Sequence, residues 1–149
     1  MKNLILVLGL SLSNLCFGAD WVYVTSGGNQ NFFIDQNYYK YDVTQKTVDV
    51  WSKVTQKKLM EDDYYTKSKT LIRYLCPSKS SKNLATVTYD ESGNVFKSST
   101  KPAPGFSLIF PETVDEKIWE VACSTKGKGL KLYEPEKVNL EKIGIKSPN

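Results

Sequence analysis

Thr47-Val48-Asp49-Val50-Trp51-Ser52-Lys53-Val54 divides its side chains between two surfaces. Val48, Val50, Ser52 and Val54 fall on one side, and Asp49, Trp51 and Lys53 on the other. A period of two is that of a β-strand, and the mixed second side predicts a sheet with one wetter face. Residues 67–76 repeat the pattern, with Leu71, Arg73 and Leu75 opposed by Thr70, Ile72, Tyr74 and Cys76. Between the two lies 57–66, which shows no clear period and reads as a loop. Its Asp62-Asp63 pair lacks further oxygen ligands for a cation and reads as solvated carboxylates.

Upstream, Trp21-Val22-Tyr23-Val24 is a β-branched and aromatic run stopped by Gly27-Gly28-Asn29, and residues 31–35 resume it. Downstream, 83–89 and 94–99 flank Asp90-Glu91-Ser92-Gly93, where Gly93 supplies the positive φ of a tight hairpin. These are adjacent antiparallel strands. Lys101-Pro102-Ala103-Pro104-Gly105 cannot continue a sheet. After one more short strand within 106–110, Pro111 stops the pattern. Thr113-Val114-Asp115-Glu116 then forms a capping box, with Thr113 as cap and Glu116 reaching back. Val114, Ile118, Val121 and Ala122 follow at helical spacing, widened by Trp119. A helix of about ten residues is unstable alone and must lie on something.

Cys123 at its end indicates what. Residues 1–19 read as an export signal, with Lys2 before the apolar run Leu4-Ile5-Leu6-Val7-Leu8-Gly9-Leu10. That run is shorter than the roughly 20 residues a membrane span takes. Small residues favour cleavage after Gly18 or Ala19. The rival reading, a lipoprotein acylated at Cys16, fits less well because Leu15 and Ser13 depart from the lipid-attachment pattern. Only Cys76 and Cys123 then remain, and in an oxidising compartment they pair. Closing a loop of about 48 residues stabilises by roughly 4 kcal/mol in the chain-entropy model. The bridge fastens the helix to the strand carrying Cys76.

Residues 20–123 form one domain with 13 basic and 13 acidic side chains, whereas 124–149 carries 6 lysines and 3 glutamates. A neutral body with a single arginine, Arg73, argues against nucleic acid as a partner. The chain has no histidine, which excludes Ser-His-Asp and Cys-His sites and the commonest general base. It also rules against a metal or redox role for the two cysteines, which alone do not complete a zinc site. Ser78-Lys79-Ser80-Ser81-Lys82 holds the residue types of a Ser-Lys pair but reads as a polar turn. No glycine-rich phosphate loop is present. No catalytic residue, metal ligand or cofactor is therefore assigned. The alternative carried forward is a small periplasmic enzyme or enzyme inhibitor.

The motifs Trp21-Val22-Tyr23-Val24, Phe33-Ile34-Asp35, Val48-Asp49-Val50-Trp51-Ser52-Lys53, Cys76, Thr88-Tyr89-Asp90-Glu91-Ser92-Gly93-Asn94-Val95 and Ile109-Phe110-Pro111-Glu112-Thr113, followed by 118–123, resemble in order and spacing the surface-adhesin protein E family. The resemblance implies a mainly β (α+β) fold: a curved antiparallel sheet of about six strands with a short C-terminal helix pinned to it by a disulfide. It also implies an exported, noncatalytic protein of the Gram-negative periplasm or outer surface, or a secreted one, binding host extracellular matrix proteins or envelope components. The matching positions are structural, so no binding residue is carried over.

Binding candidates come from the residues themselves. Tyr38-Tyr39-Lys40-Tyr41 cannot all point inward from one strand, and exposed Tyr beside Lys is typical of interfaces. The tail lysines Lys126, Lys128 and Lys131 offer an electrostatic patch for anionic partners, against the bland reading of a solvated extension. Nothing in the sequence closes the sheet, so its open edges offer a route to a homodimer.

Overall fold

The computed structural model describes residues 18–125. β1 (Trp21–Gly27), β2 (Gln30–Asp42), β3 (Thr47–Lys57), β4 (Tyr64–Leu75), β5 (Ser80–Tyr89) and β6 (Val95–Ser99) lie side by side in chain order, each antiparallel to the next. The short β7 (Ser107–Leu108) pairs with the start of β5, and α1 (Val114–Ser124) follows. The sheet of six strands with one C-terminal helix is thus the expected one, and it remains open.

Three segments differ from the sequence expectation. β2 continues to Asp42 across an irregularity between Ile34 and Tyr39. The loop expected over 57–66 contracts to a turn, because Lys57 pairs with Tyr64, Gln56 with Tyr65 and Thr55 with Thr66. The Lys58 N–H closes that turn on the Asp63 carbonyl at 2.9 Å, and Lys57 pairs with Asp62. The turn expected over 78–82 is instead a 3₁₀ turn at Cys76–Ser78, followed by Lys79 at φ 48°, and β5 already begins at Ser80.

The alternation in β3 does what its pattern implies. Val48 and Val50 are fully buried and meet Ile34, Ile72, Tyr74 and Ile109, with Ile118, Val121 and Ala122 descending from α1. Thr113 caps the helix, its Oγ1 accepting the Glu116 N–H at 3.2 Å. The Glu116 carboxylate accepts from the Glu112 N–H at 2.6 Å, one residue earlier than a capping box places it.

Side chains of one sheet face hold α1 at both ends. At its start, Asp115 accepts hydrogen bonds from the Tyr74 hydroxyl at 2.8 Å and the Ser81 hydroxyl at 3.0 Å. Burial, and then the Asp115 charge, push the Tyr74 hydroxyl well above its ordinary pKa, so it remains a donor. At its end, the Tyr39 hydroxyl donates to the Ala122 carbonyl at 3.1 Å, and Cys123 is bonded to Cys76 across 47 positions.

Two outcomes follow from this docking. Reducing the Cys76–Cys123 bond is expected to release α1 amides to hydrogen exchange before those of β3 and β4; simultaneous loss would show that helix and sheet are one cooperative unit. Tyr74→Phe removes the donor at 2.8 Å and leaves Asp115 the Ser81 hydroxyl, and is expected to cost about 1–3 kcal/mol in urea unfolding, more than Tyr64→Phe at a half-buried position.

Candidate functional site

Among the described residues no helix lies across the second face of the sheet. Its rows follow from register. Tyr23 stands opposite Phe33, Phe33 opposite Lys53, Lys53 opposite Lys69, and Lys69 opposite Val87, one row across five strands. A second row joins Trp51, Leu71 and Ala85, and a third joins Lys40, Asp49, Arg73 and Lys82.

The first row places two like charges directly opposite each other, an arrangement that destabilises a sheet. Neither lysine makes an ion pair among the described residues; each is cushioned on rings. The Lys53 ammonium lies 4.5 Å from the Phe33 ring centroid and 5.0 Å from that of Trp21. Lys69 lies 5.8 Å from Trp21 and 5.7 Å from Tyr89. Trp21 therefore serves both cations. Tyr23 packs edge-on against Phe33 at 5.9 Å, which completes the support. Such contacts are worth roughly 0.5–2 kcal/mol each, enough to hold the ammonium groups without neutralising them. Burial, and then the Lys69 charge, lower the Lys53 pKa to about 8.

The third row is ordered differently. Arg73 grips Asp49 through two bonds of 2.7 Å, Nε to Oδ1 and Nη2 to Oδ2, so its charge is spent within the sheet. Of the other carboxylates on this face, Asp35 accepts the Asp20 and Asn37 N–H groups at 3.0 and 2.9 Å, and Asp42 accepts the Thr44 and Gln45 N–H groups at 2.9 and 2.8 Å. Among the described residues, the cations in these rows without a carboxylate partner are Lys40, Lys53, Lys69 and Lys82, the last of which lies 4.8 Å over the Phe106 ring.

The structure divides the Tyr38–Tyr41 cluster between the two faces. Tyr38 stands edge-on to Trp51 at 6.5 Å with Lys40 5.2 Å over its ring, both on the uncovered face. Tyr39 binds the end of α1, and Tyr41 lines a depression of about 640 Å³ beside the disulfide with Lys46, Trp119 and Glu120. Lys126, Lys128 and Lys131 lie outside the described residues. In the Ser-Lys segment, Lys79 pairs with Glu116 and sits 5.4 Å over the Trp119 ring, while the Ser78 and Ser80 hydroxyls bond each other at 2.7 Å. Sequence reasoning missed Trp21, Lys53 and Lys69 as a group. The alternation in β3 had set Lys53 and Trp51 on one side, but their neighbours depend on register.

The fold and face define a small open-sheet domain suited to binding, with one side fastened to its helix and the other presenting rings and cations. The chain belongs to the surface-adhesin protein E family, whose model matches residues 21–124. No curated protein and no solved structure matches it.

Because Lys53 gives up its proton more readily in the fold than in the unfolded chain, folding stability should rise as pH climbs from about 8 towards 10.5. In a ¹³Cε titration, Lys53 is expected to titrate near 8 and to move upward in Lys69→Gln. A midpoint near 10.5 in both proteins would show that the row does not perturb it.

Proposed function

We propose that this protein is an exported, noncatalytic adhesin that binds host extracellular matrix proteins through the uncovered sheet face. The observation that carries the reading is the juxtaposition, in a member of the surface-adhesin protein E family, of aromatic rings with Lys40, Lys53 and Lys69, none of which pairs with a carboxylate among the described residues. Interfaces draw their energy from aromatic anchors, and charge at their margins sets the rate and direction of approach. Trp51 and Tyr38 are the anchors in this reading, and Lys40, Lys53 and Lys69 the steering charges. Residues 1–19 direct export through the Sec pathway, 20–123 form the binding domain, and 124–149 add positive charge. The protein acts at the outer surface of a Gram-negative bacterium. No catalytic role is assigned, since the chain has no histidine and, among the described residues, no cluster of three or more potential metal ligands.

Immobilised matrix proteins provide the test, with the chain applied at increasing concentration. Trp51→Ala combined with Tyr38→Ala is expected to weaken saturable binding about tenfold or more, whereas Tyr41→Ala on the opposite face leaves it unchanged. Equal loss from both faces, or none from either, would remove the uncovered face as the contact surface.

A further inference from the structure

The lysine row indicates what kind of matrix component this face is built to hold. Lys53 and Lys69 face each other from adjacent strands, which run roughly 4.8 Å apart. A sheet tolerates directly opposed like charges only at a cost, and here the rings hold both ammonium groups in place without cancelling them. The site is thus preorganised for an anion with several oxygens that can bridge two cations. Lys40 extends the positive charge towards Tyr38 and Trp51. These rings present flat apolar surface beside the charge, as the C–H faces of sugar rings require.

An acidic peptide fits less well. Peptides dock most securely by adding a strand to a free edge. β3 and β4 are paired on both sides, so the middle of this face offers side chains alone. A sulfated polysaccharide needs no backbone partner. It brings closely spaced charges that do not titrate in the working range, together with apolar sugar faces.

We propose that the Lys53–Lys69 row, extended by Lys40 and by the Trp51 and Tyr38 rings, binds the sulfated glycosaminoglycan chains carried by host matrix proteins. This rests on the adhesin reading above. A sulfate group bridges the two ammonium groups, and the neighbouring sugar rings lie against the aromatic side chains. The titratable and charged groups sharing the face with Lys53 are Tyr23 on β1, Asp35, Tyr38, Lys40 and Asp42 on β2, Asp49 and Lys57 on β3, Tyr64, Lys69 and Arg73 on β4, and Lys82 and Tyr89 on β5. Asp49 and Arg73 are committed to each other. Binding therefore draws on protonated Lys53 and weakens as pH passes through about 8.

The test is calorimetry of the full chain with a size-defined heparin oligosaccharide, with polyglutamate and a neutral dextran for comparison. Heparin is expected to bind with an affinity that falls steeply with salt and declines between pH 7 and 9. Lys53→Gln with Lys69→Gln should weaken it about tenfold or more and flatten the salt dependence. Lys53→Arg, which keeps the charge, should retain binding and abolish the decline with pH. A variant with Lys126, Lys128 and Lys131 changed to Gln should lose less than the double variant and keep the decline with pH. Loss in the tail variant with retention in the double variant would overturn the site, and polyglutamate binding as tightly as heparin would overturn the ligand class. A matrix protein stripped of its sulfated glycans separates the two readings. Undiminished binding to it would overturn the glycan inference alone, and no binding to either the intact or the stripped protein would overturn the adhesin reading as well.

Discussion

The helix α1 is held to one face of the sheet at both of its ends, and the rest of the molecule is arranged around that attachment. Eleven residues of helix do not persist alone in water. Here Tyr74 and Ser81 receive the first turn through Asp115, and Cys76 and Tyr39 receive the last. Between them Ile118, Val121 and Ala122 join Val48, Val50 and Ile72 in one apolar cluster. The polar anchors set the position of the helix along the strands, and the apolar contact supplies most of the energy.

A single short helix covers only one side. The second face must remain in water without offering an apolar patch for aggregation, and yet it carries Trp21, Tyr23, Phe33, Tyr38 and Trp51. The lysines resolve this. Their stems lie along the aromatic surface while the ammonium groups remain charged, so the rings are shielded without being buried beneath another element. Charged side chains on a sheet surface also deter stacking against a second sheet. The same arrangement leaves positive charge unspent, and solubility and anion recognition thereby arise from one set of residues.

The two faces were legible from alternation alone, since Val48, Val50 and Ser52 turn inward and Asp49, Trp51 and Lys53 outward as their spacing implies. The capped helix was legible from Thr113 and its apolar periodicity, and the cysteine pairing from the absence of any other partner. Register was not. That Lys53 meets Lys69 depends on where the chain turns between Lys57 and Tyr64 and on the irregularity between Val54 and Thr55, neither of which has a local signature strong enough to read. In the sequence the cluster Tyr38-Tyr39-Lys40-Tyr41 cannot point one way. Assigning each member needed the irregularity between Ile34 and Tyr39, which reindexes β2 against β3.

The precision of the uncovered face is inherited from the covered one. In a strand a slip of one residue exchanges the two surfaces, so a shift in β3 would carry Lys53 towards the core and expose Val50 and Val54. Burying an unpaired ammonium and exposing two valines would each oppose the slip. The core against α1 therefore fixes the register, and through it the distance between Lys53 and Lys69. The opposed charges contribute nothing favourable to this choice and act against it at close range. Their relative placement survives because the apolar face outweighs them, which is how a site that strains its own fold can be held in a domain this small.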